Sequence, residues 1–301
     1  MRRPRRLRRW TASVVLLGVV AVSGGALAFA QAPPVVEIHK VDEGHFTPKP
    51  DRPVFILALG IDGRPGIDTD RADAIHLIGV NAAAGSATIL NIPRDTYVNI
   101  PGHGRGKIND AYTFGGPALQ AEAVEQLVGA KPQFVITTTF SGFPRMVDEI
   151  GGLAVNVPYP MHDRFSGANF DPGVRNMNGG EAFAFSRDRH IPDGDVNRSL
   201  NQGSVIIAAL AKLRGDGGSL NAARVFKLLG VLGRNSRLHN VSATDLYNLG
   251  RLGLSIDPAR VRNVPMPSII GMAGSLSVVY AAPASGSLFA DFRDDAVLQA
   301  H

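Results

Sequence analysis

The 301-residue chain is 45% hydrophobic and 19% charged, contains no cysteine and carries a formal charge of +5. Six arginines fall within the first ten residues; without them 25 Lys and Arg face 26 Asp and Glu, so the body is no electrostatic match for nucleic acid. The absence of cysteine excludes disulfides and thiol chemistry, and leaves core packing to hold together a body of about 250 residues.

"MRRPRRLRRW", residues 1–10, reads as a basic cytoplasmic tail. No charge occurs from Thr11 to Val36, and residues 11–30 span roughly 30 Å as a helix, the thickness of a bilayer core. Arginines before the span and none close after it predict a single-pass, uncleaved anchor with the remainder outside the cell membrane. The competing reading is a cleaved signal peptide, for which "ALAFAQA" offers small residues at the right spacing. Both readings export the body. Residues 31–52, punctuated by Pro33, Pro34, Pro48 and Pro50, read as an extended linker, and residues 53–301 as the extracytoplasmic domain.

That domain opens on "VFILALGID", a continuous apolar run with the pattern of a buried strand. "AIHLIGVN" and "SATILNIP" follow as strands joined by the turn "AAAG". "GPALQAEAVEQLVG" predicts a helix ended by Gly129, "QFVITTTF" a strand, "SGFPRMVDEIGG" a short helix and "LAVNVPYPM" a strand broken at its prolines. "VNRSLNQGSVIIAALAKLRG" predicts a long helix with Asp195 as N-cap and Gly215 as C-cap. Helices at "AARVFKLLGVLG" and "TDLYNLGRLGLS", strands at "VRNVPMP" and "LSVVYAAPA", and a final helix at "SLFADFRDD" complete the pattern. Strands alternating with helices predict an α/β fold, a central mixed sheet covered by helices on both faces.

Polar clusters gather where apolar segments end. Asp62 follows "ILALGI", Arg71 and Asp73 precede "AIHLIGV", and Arg94 and Asp95 follow "ATILNIP". Lys107 lies in "GRGKIND", and Arg187 and Arg189 follow "AFAF". Taken singly, each reads more simply as a turn cap or a solvated loop charge. Together they supply two aspartates and many cations at strand ends, where sites form in such sheets. Arg187 and Arg189 would face one way in an extended segment, and Arg198 and Gln202 share one face of a helix. Guanidinium forks suit phosphate oxygens and carboxylates suit a hard cation, so the set is one a pyrophosphate would need. The histidines show no ligand-like spacing, His103, His162 and His190 reading as loop residues. No Walker loop, dinucleotide fingerprint or G-x-S-x-G elbow occurs.

The blocks "LALGID" (57–62), "RADAIHLIGVN" (71–81), "ILNIPRDTYVNIPG" (89–102), "GKINDAYTFGG" (106–116), "FSGFPRMVDEIGGLAVNVP" (140–158), "NGGEAFAFSRDRH" (178–190) and "DGDVNRSLNQ" (193–202) resemble, in order, the motifs of the LytR-CpsA-Psr family of cell-wall proteins. The resemblance implies a three-layer α/β/α sandwich behind one N-terminal transmembrane helix. It implies a phosphotransferase moving an anionic glycopolymer of teichoic acid, capsule or arabinogalactan type from a polyprenyl-pyrophosphate carrier to peptidoglycan. Carried over by motif, Asp62 and Asp73 hold Mg²⁺, for which Mn²⁺ can substitute. Arg71, Arg94, Lys107, Arg187, Arg189, Arg198 and Gln202 bind the pyrophosphate, with Arg94, Asp95, Arg189 and Arg198 as catalytic residues. The family's lipid tail enters an apolar pocket, of which helix 203–213 is a candidate wall, though its apolar face reads more simply as core. Two positions depart from the family pattern: Asn201 stands where an arginine is usual, and Ala74 where Thr or Ser is frequent. Two other functions share the same clamp, a polyprenyl-pyrophosphate hydrolase and a non-catalytic binding or regulatory module for lipid-linked precursors.

Overall fold

The computed structural model describes residues 36–62, 70–215 and 236–299. The chain divides into a unit of residues 1–32 and a unit of residues 33–301, and all that follows concerns the second. The expected span at 11–30 and the helix expected at 222–233 lie outside the described residues. Among the described residues, no helix is long and apolar enough to cross a membrane.

In chain order the strands are β1 (Val36–Lys40), β2 (Val54–Ile61), β3 (Ala72–Asn81), β4 (Ser86–Asn91), β5 (Tyr97–Ile100) and β6 (Gly104–Lys107). Helix α1 (Asp110–Val128), β7 (Phe134–Thr139) and α2 (Gly142–Glu149) follow. A smaller lobe holds β8 (Leu153–Val157), β9 (Met161–Asp163), β10 (Ala168–Phe170), β11 (Gly173–Met177) and α3 (Gly179–Arg187). The long α4 (Asp195–Arg214), β12 (Ser236–His239) and α5 (Ala243–Ser255) lead to β13 (Val261–Pro265), β14 (Ser268–Ala273), β15 (Leu276–Ala281) and α6 (Ala284–Asp295).

Seven strands form the central sheet in the order β12-β1-β7-β2-β3-β4-β13. The sheet is mixed: β12–β1, β7–β2 and β4–β13 pair parallel, while β1–β7, β2–β3 and β3–β4 pair antiparallel. Helices flank it because β2 buries both faces. Phe55, Leu57, Leu59 and Ile61 enter a core with Val124 and Val128 of α1 and Phe292 of α6. Val54 and Ile56 point the other way, into a core with Leu246 and Leu252 of α5. Burying one such side chain contributes about 1.5–3 kcal/mol, which explains why a continuous apolar run can anchor the middle of the sheet. The lobe has its own core, where Val205 and Ala208 of α4 join Phe185, Val155 and Met177. The apolar face proposed as a lipid wall is therefore core at these two positions.

Three local readings need correction. Residues 36–40 are not extended linker: Val36 and Ile38 bury into the sheet, and the strand pairs on both edges. "AFAF" is not extended either. It lies in α3, which starts at a capping box in which Asn178 accepts from the Glu181 backbone and Glu181 accepts from the Asn178 backbone. Asp195 is the first residue of α4 rather than its cap; Gly194 occupies the N-cap, and its φ of 44° follows Asp193 at φ 52° in a left-handed turn. The other helix that departs from expectation is α1, which starts at Asp110 and kinks at Gly115 and Gly116 just before Pro117.

Candidate functional site

A cavity of about 350 Å³ opens between the ends of the central strands and the α3–α4 turn. Its walls include Asp73, Ala74, Arg94, Arg187, Arg189, Arg198 and Gln202, together with Phe140, Asp163, Phe165, Ser166, Ser186 and His190.

The sheet supplies the first half. A register shift between Gly60 and Ile61 sets Ile61 opposite Ala72 and Gly60 opposite Ala74, so Asp73 occupies a bulge. Bulges re-aim side chains, and the Asp73 carboxylate, in the cavity wall, accepts from Arg94 Nη1 at 2.6 Å. Asp62 lies one residue beyond Ile61 at the neighbouring strand end. Arg94 sits in a tightly held loop: its carbonyl accepts from Asn109 N–H, Asp95 C=O from Val279 N–H, and Thr96 C=O from Ile108 N–H. Asp95 pairs with Lys107 at 2.9 Å and lies 3.8 Å from Arg94 Nε. Burial opposes the charge of Arg94, but Asp73, then Asp95 and Asp195, outweigh it and raise its pKa. Arg71 is half exposed and pairs with Asp110 at 3.4 Å. Thus Asp73 and Arg94 line the cavity, whereas Asp62, Arg71, Asp95 and Lys107 are not among its lining residues.

Helices α3 and α4 supply the second half. Arg187, the last residue of α3, stands over the Phe183 ring at 4.9 Å and the Phe140 ring at 5.8 Å, an aromatic shelf that holds a cation by its stem and face. Asp195 Oδ1 then joins two arginines, Arg189 Nε at 3.4 Å and Arg198 Nη1 at 3.2 Å. Arg198 is only 5% exposed. Burial first, and then the charges of Arg189 and Arg94, bring its pKa down to about 10 despite Asp195, so it remains a cation at neutral pH. Both Arg94 and Arg198 carry a buried Nε with no hydrogen-bond partner. Such donors are costly to leave unmet, and an anion in the cavity is the partner that would satisfy them.

Beneath this wall runs a buried polar ladder. His76 Nδ1 lies 2.7 Å from Asn91 Oδ1; Asn91 Nδ2 donates to Asn263 Oδ1 at 2.7 Å, and Asn263 Nδ2 donates to the Leu200 carbonyl of α4 at 2.7 Å. The ladder locks α4 onto β3, β4 and β13. Gly203 is required there, since a Cβ would lie 2.1 Å from Asn263 Oδ1. Burial lowers the His76 pKa to about 4, against hydrogen bonding to Asn91 and Gln202 that favours its charge. Gln202 Nε2 also donates to the Ser186 carbonyl at 3.0 Å, tying α4 to α3. Asn201, the departure from the family pattern, is buried and accepts from Tyr159 Oη at 3.2 Å, so it belongs to the packing of the lobe.

Sequence reasoning missed Asp163, Asp188 and His190 as a group. Asp163 is buried, accepts from the backbone N–H groups of Phe165 and Ser166, and lies 3.1 Å from His190 Nδ1. Burial works against its charge, but these donors bring its pKa down to about 2. Phe165 stacks on His190 at 5.4 Å. Asp188 is fully buried; one oxygen accepts from His190 N–H at 2.8 Å and the other has no partner. Burial, reinforced by Asp163, raises the Asp188 pKa. Asp163 lies 27 residues before His190, and no spacing rule links them; only the β9–β10 lobe folding over the α3–α4 turn brings them together.

A deep cationic pocket at strand ends, a bulge-held aspartate and the motif order fit one class of protein. The LytR_cpsA_psr family profile matches residues 26–285, and the chain belongs to that family. The polyisoprenyl-teichoic acid–peptidoglycan teichoic acid transferase TagU of Oceanobacillus iheyensis is 33% identical over 240 residues, 73% of this chain and 74% of that protein. The crystal structure of B. subtilis TagV matches with a TM-score of 0.68 at 22% identity, over 82% of this chain and 98% of that one. The family protein YwtF (TagT) with bound octaprenyl pyrophosphate lipid matches with a TM-score of 0.63 at 22% identity, over 86% and 96%.

Proposed function

We propose that this protein is a Mg²⁺-dependent phosphotransferase, anchored in the cell membrane with its catalytic domain outside. On this reading it attaches a polyprenyl-pyrophosphate-linked anionic glycopolymer to peptidoglycan. The observation that carries the proposal is the convergence of Arg94, Arg187, Arg189 and Arg198 on one cavity, two of them with buried, unpartnered Nε donors. The transferase relative and the pyrophosphate-lipid complex of a family protein support it.

Asp62 and Asp73 are the carboxylates that would hold a divalent cation. Asp62 and Asp73 end neighbouring strands, and Mg²⁺ needs only one or two protein carboxylates when phosphate oxygens and water complete its shell. Bound there, it would neutralise charge on the pyrophosphate. Arg94 and Arg198 grip the phosphate oxygens and balance the charge that develops on the bridging oxygen. Arg187 and Arg189 hold the outer phosphate. His190, oriented by the ionised Asp163, accepts the proton of the acceptor hydroxyl through Nε2. The acceptor oxygen bonds to the phosphorus that carries the glycan, the bond from that phosphorus to the bridging oxygen breaks, and polyprenyl monophosphate departs. Water in place of the hydroxyl would give hydrolysis from the same clamp.

The test is turnover of a lipid-linked glycopolymer by the full-length protein with peptidoglycan present or absent, with and without chelator. Phosphodiester-linked product that appears only with both acceptor and Mg²⁺ is expected. Release of free glycopolymer phosphate at the same rate without acceptor would identify a hydrolase, and binding without turnover a precursor-binding module.

A further inference from the structure

We propose that Glu37, His39 and His239 form a binding site for a zinc-class divalent metal at the β1–β12 edge of the central sheet, separate from the pyrophosphate cavity. Strands β1 and β12 run parallel with His39 opposite His239. Glu37 lies two residues before His39 and so shares its face of the sheet. The Nε2 atoms of His39 and His239 each lie 3.4 Å from the same oxygen, Glu37 Oε2. An ion held tetrahedrally at about 2.0–2.1 Å sets neighbouring donors about 3.3–3.4 Å apart, so these separations are those of two edges of a zinc polyhedron.

Three further observations favour a metal over a simple ion pair. Both Nε2 atoms are buried and have no hydrogen-bond partner. The two rings stack, 4.0 Å between centroids and 5° between planes, an arrangement that two imidazolium cations would oppose. Arg237 Nη1 lies 3.3 Å from Glu37 Oε1, which leaves Oε2 turned to the histidines. Closing on one ion requires the rings to tilt out of parallel, and the His239 side chain, 40% exposed, has room to do so. Two imidazoles and one carboxylate are a donor set that suits zinc and leaves a fourth position for water. The ion would clip together two short strands whose ligands stand 200 residues apart, so no spacing pattern in the sequence could have announced it.

The experiment uses untagged full-length protein in detergent, stripped with chelator and titrated with Zn²⁺ by calorimetry, with metal content measured after gel filtration. One zinc per chain is expected, bound at least tenfold more weakly by His39→Asn and by His239→Asn. Co²⁺ in place of zinc should give the visible absorption of a four-coordinate site in the wild type only. Failure of the wild-type chain to retain zinc above the level of the double variant would overturn the proposal, as would affinity unchanged in both variants. The wild-type titration needs no variant, so a misfolded mutant cannot obscure the answer.

Discussion

The two halves of the arginine-lined cavity are built on opposite electrostatic plans. On the sheet side, Asp73, Arg94, Asp95 and Lys107 form an alternating chain in which each cation meets a carboxylate. On the α3–α4 side, Arg189 and Arg198 share one close carboxylate, Asp195, while Arg187 stands over the rings of Phe183 and Phe140. The first half is nearly self-neutral and can hold its shape alone. The second carries an excess of positive charge over a buried base, which makes an anionic ligand its natural counterpart. The difference teaches that the sheet side holds Arg94 in a paired, self-supporting chain, while the helix side carries the excess positive charge.

Perturbing the helix side should therefore cost most. Arg198→Ala removes a buried cation and one unpartnered donor; turnover of lipid-linked substrate should fall by about 10²–10³-fold, as for loss of a charge-stabilising donor in other active sites. Steady-state kinetics check this, with melting temperature as the control for folding.

Next in size is the pH response of the ladder beneath that wall. His76 has a folded pKa of about 4 against an ordinary 6.5, so the fold favours the neutral ring. Its contribution is fully present above pH 6.5 and is lost as pH falls towards 4, a change of about 3 kcal/mol. Asp163, with a folded pKa of about 2, keeps its contribution throughout this window and loses it only as pH falls below the ordinary carboxylate range. Denaturant unfolding between pH 7 and 4 should show a smaller loss in His76→Gln than in the wild type, and equal losses would remove His76 from the account.

Gly203→Ala forces a methyl group to within 2.1 Å of the Asn263 amide. Overpacking of this kind costs about 1–3 kcal/mol, or a melting temperature lower by roughly 2–4 °C per kcal/mol for a domain this size. Differential scanning calorimetry reads it directly. Smallest of all, Lys107→Ala breaks a partly exposed pair on the sheet side, worth roughly 0–1 kcal/mol. Substrate affinity should fall by fivefold at most, and a larger loss would erase the contrast between the halves.

The same contrast governs what the sequence revealed. Strands β2, β3, β4 and β7 were legible because buried central strands are continuous apolar runs. Strands β1 and β12 were not, since "VEIHK" and "SRLH" are short and half polar, and only pairing makes them strands. Helix α3 was missed at "AFAF", although Asn178 and Glu181 carried a capping-box signal three residues apart. The arginines of the cavity were legible as a motif. The roles of Asp163 and His190 were not, because the lobe that unites them has no periodic signature.

The most direct test of the central claim is the affinity of the full-length protein for a polyprenyl pyrophosphate in Arg189→Lys and Arg198→Lys. Lysine keeps the charge but loses the bidentate fork. A clamp on this wall predicts at least a tenfold loss of affinity in both variants with melting temperature nearly unchanged. Wild-type affinity in both would show that residues 185–202 form an ion-paired surface and not the wall of a pyrophosphate site.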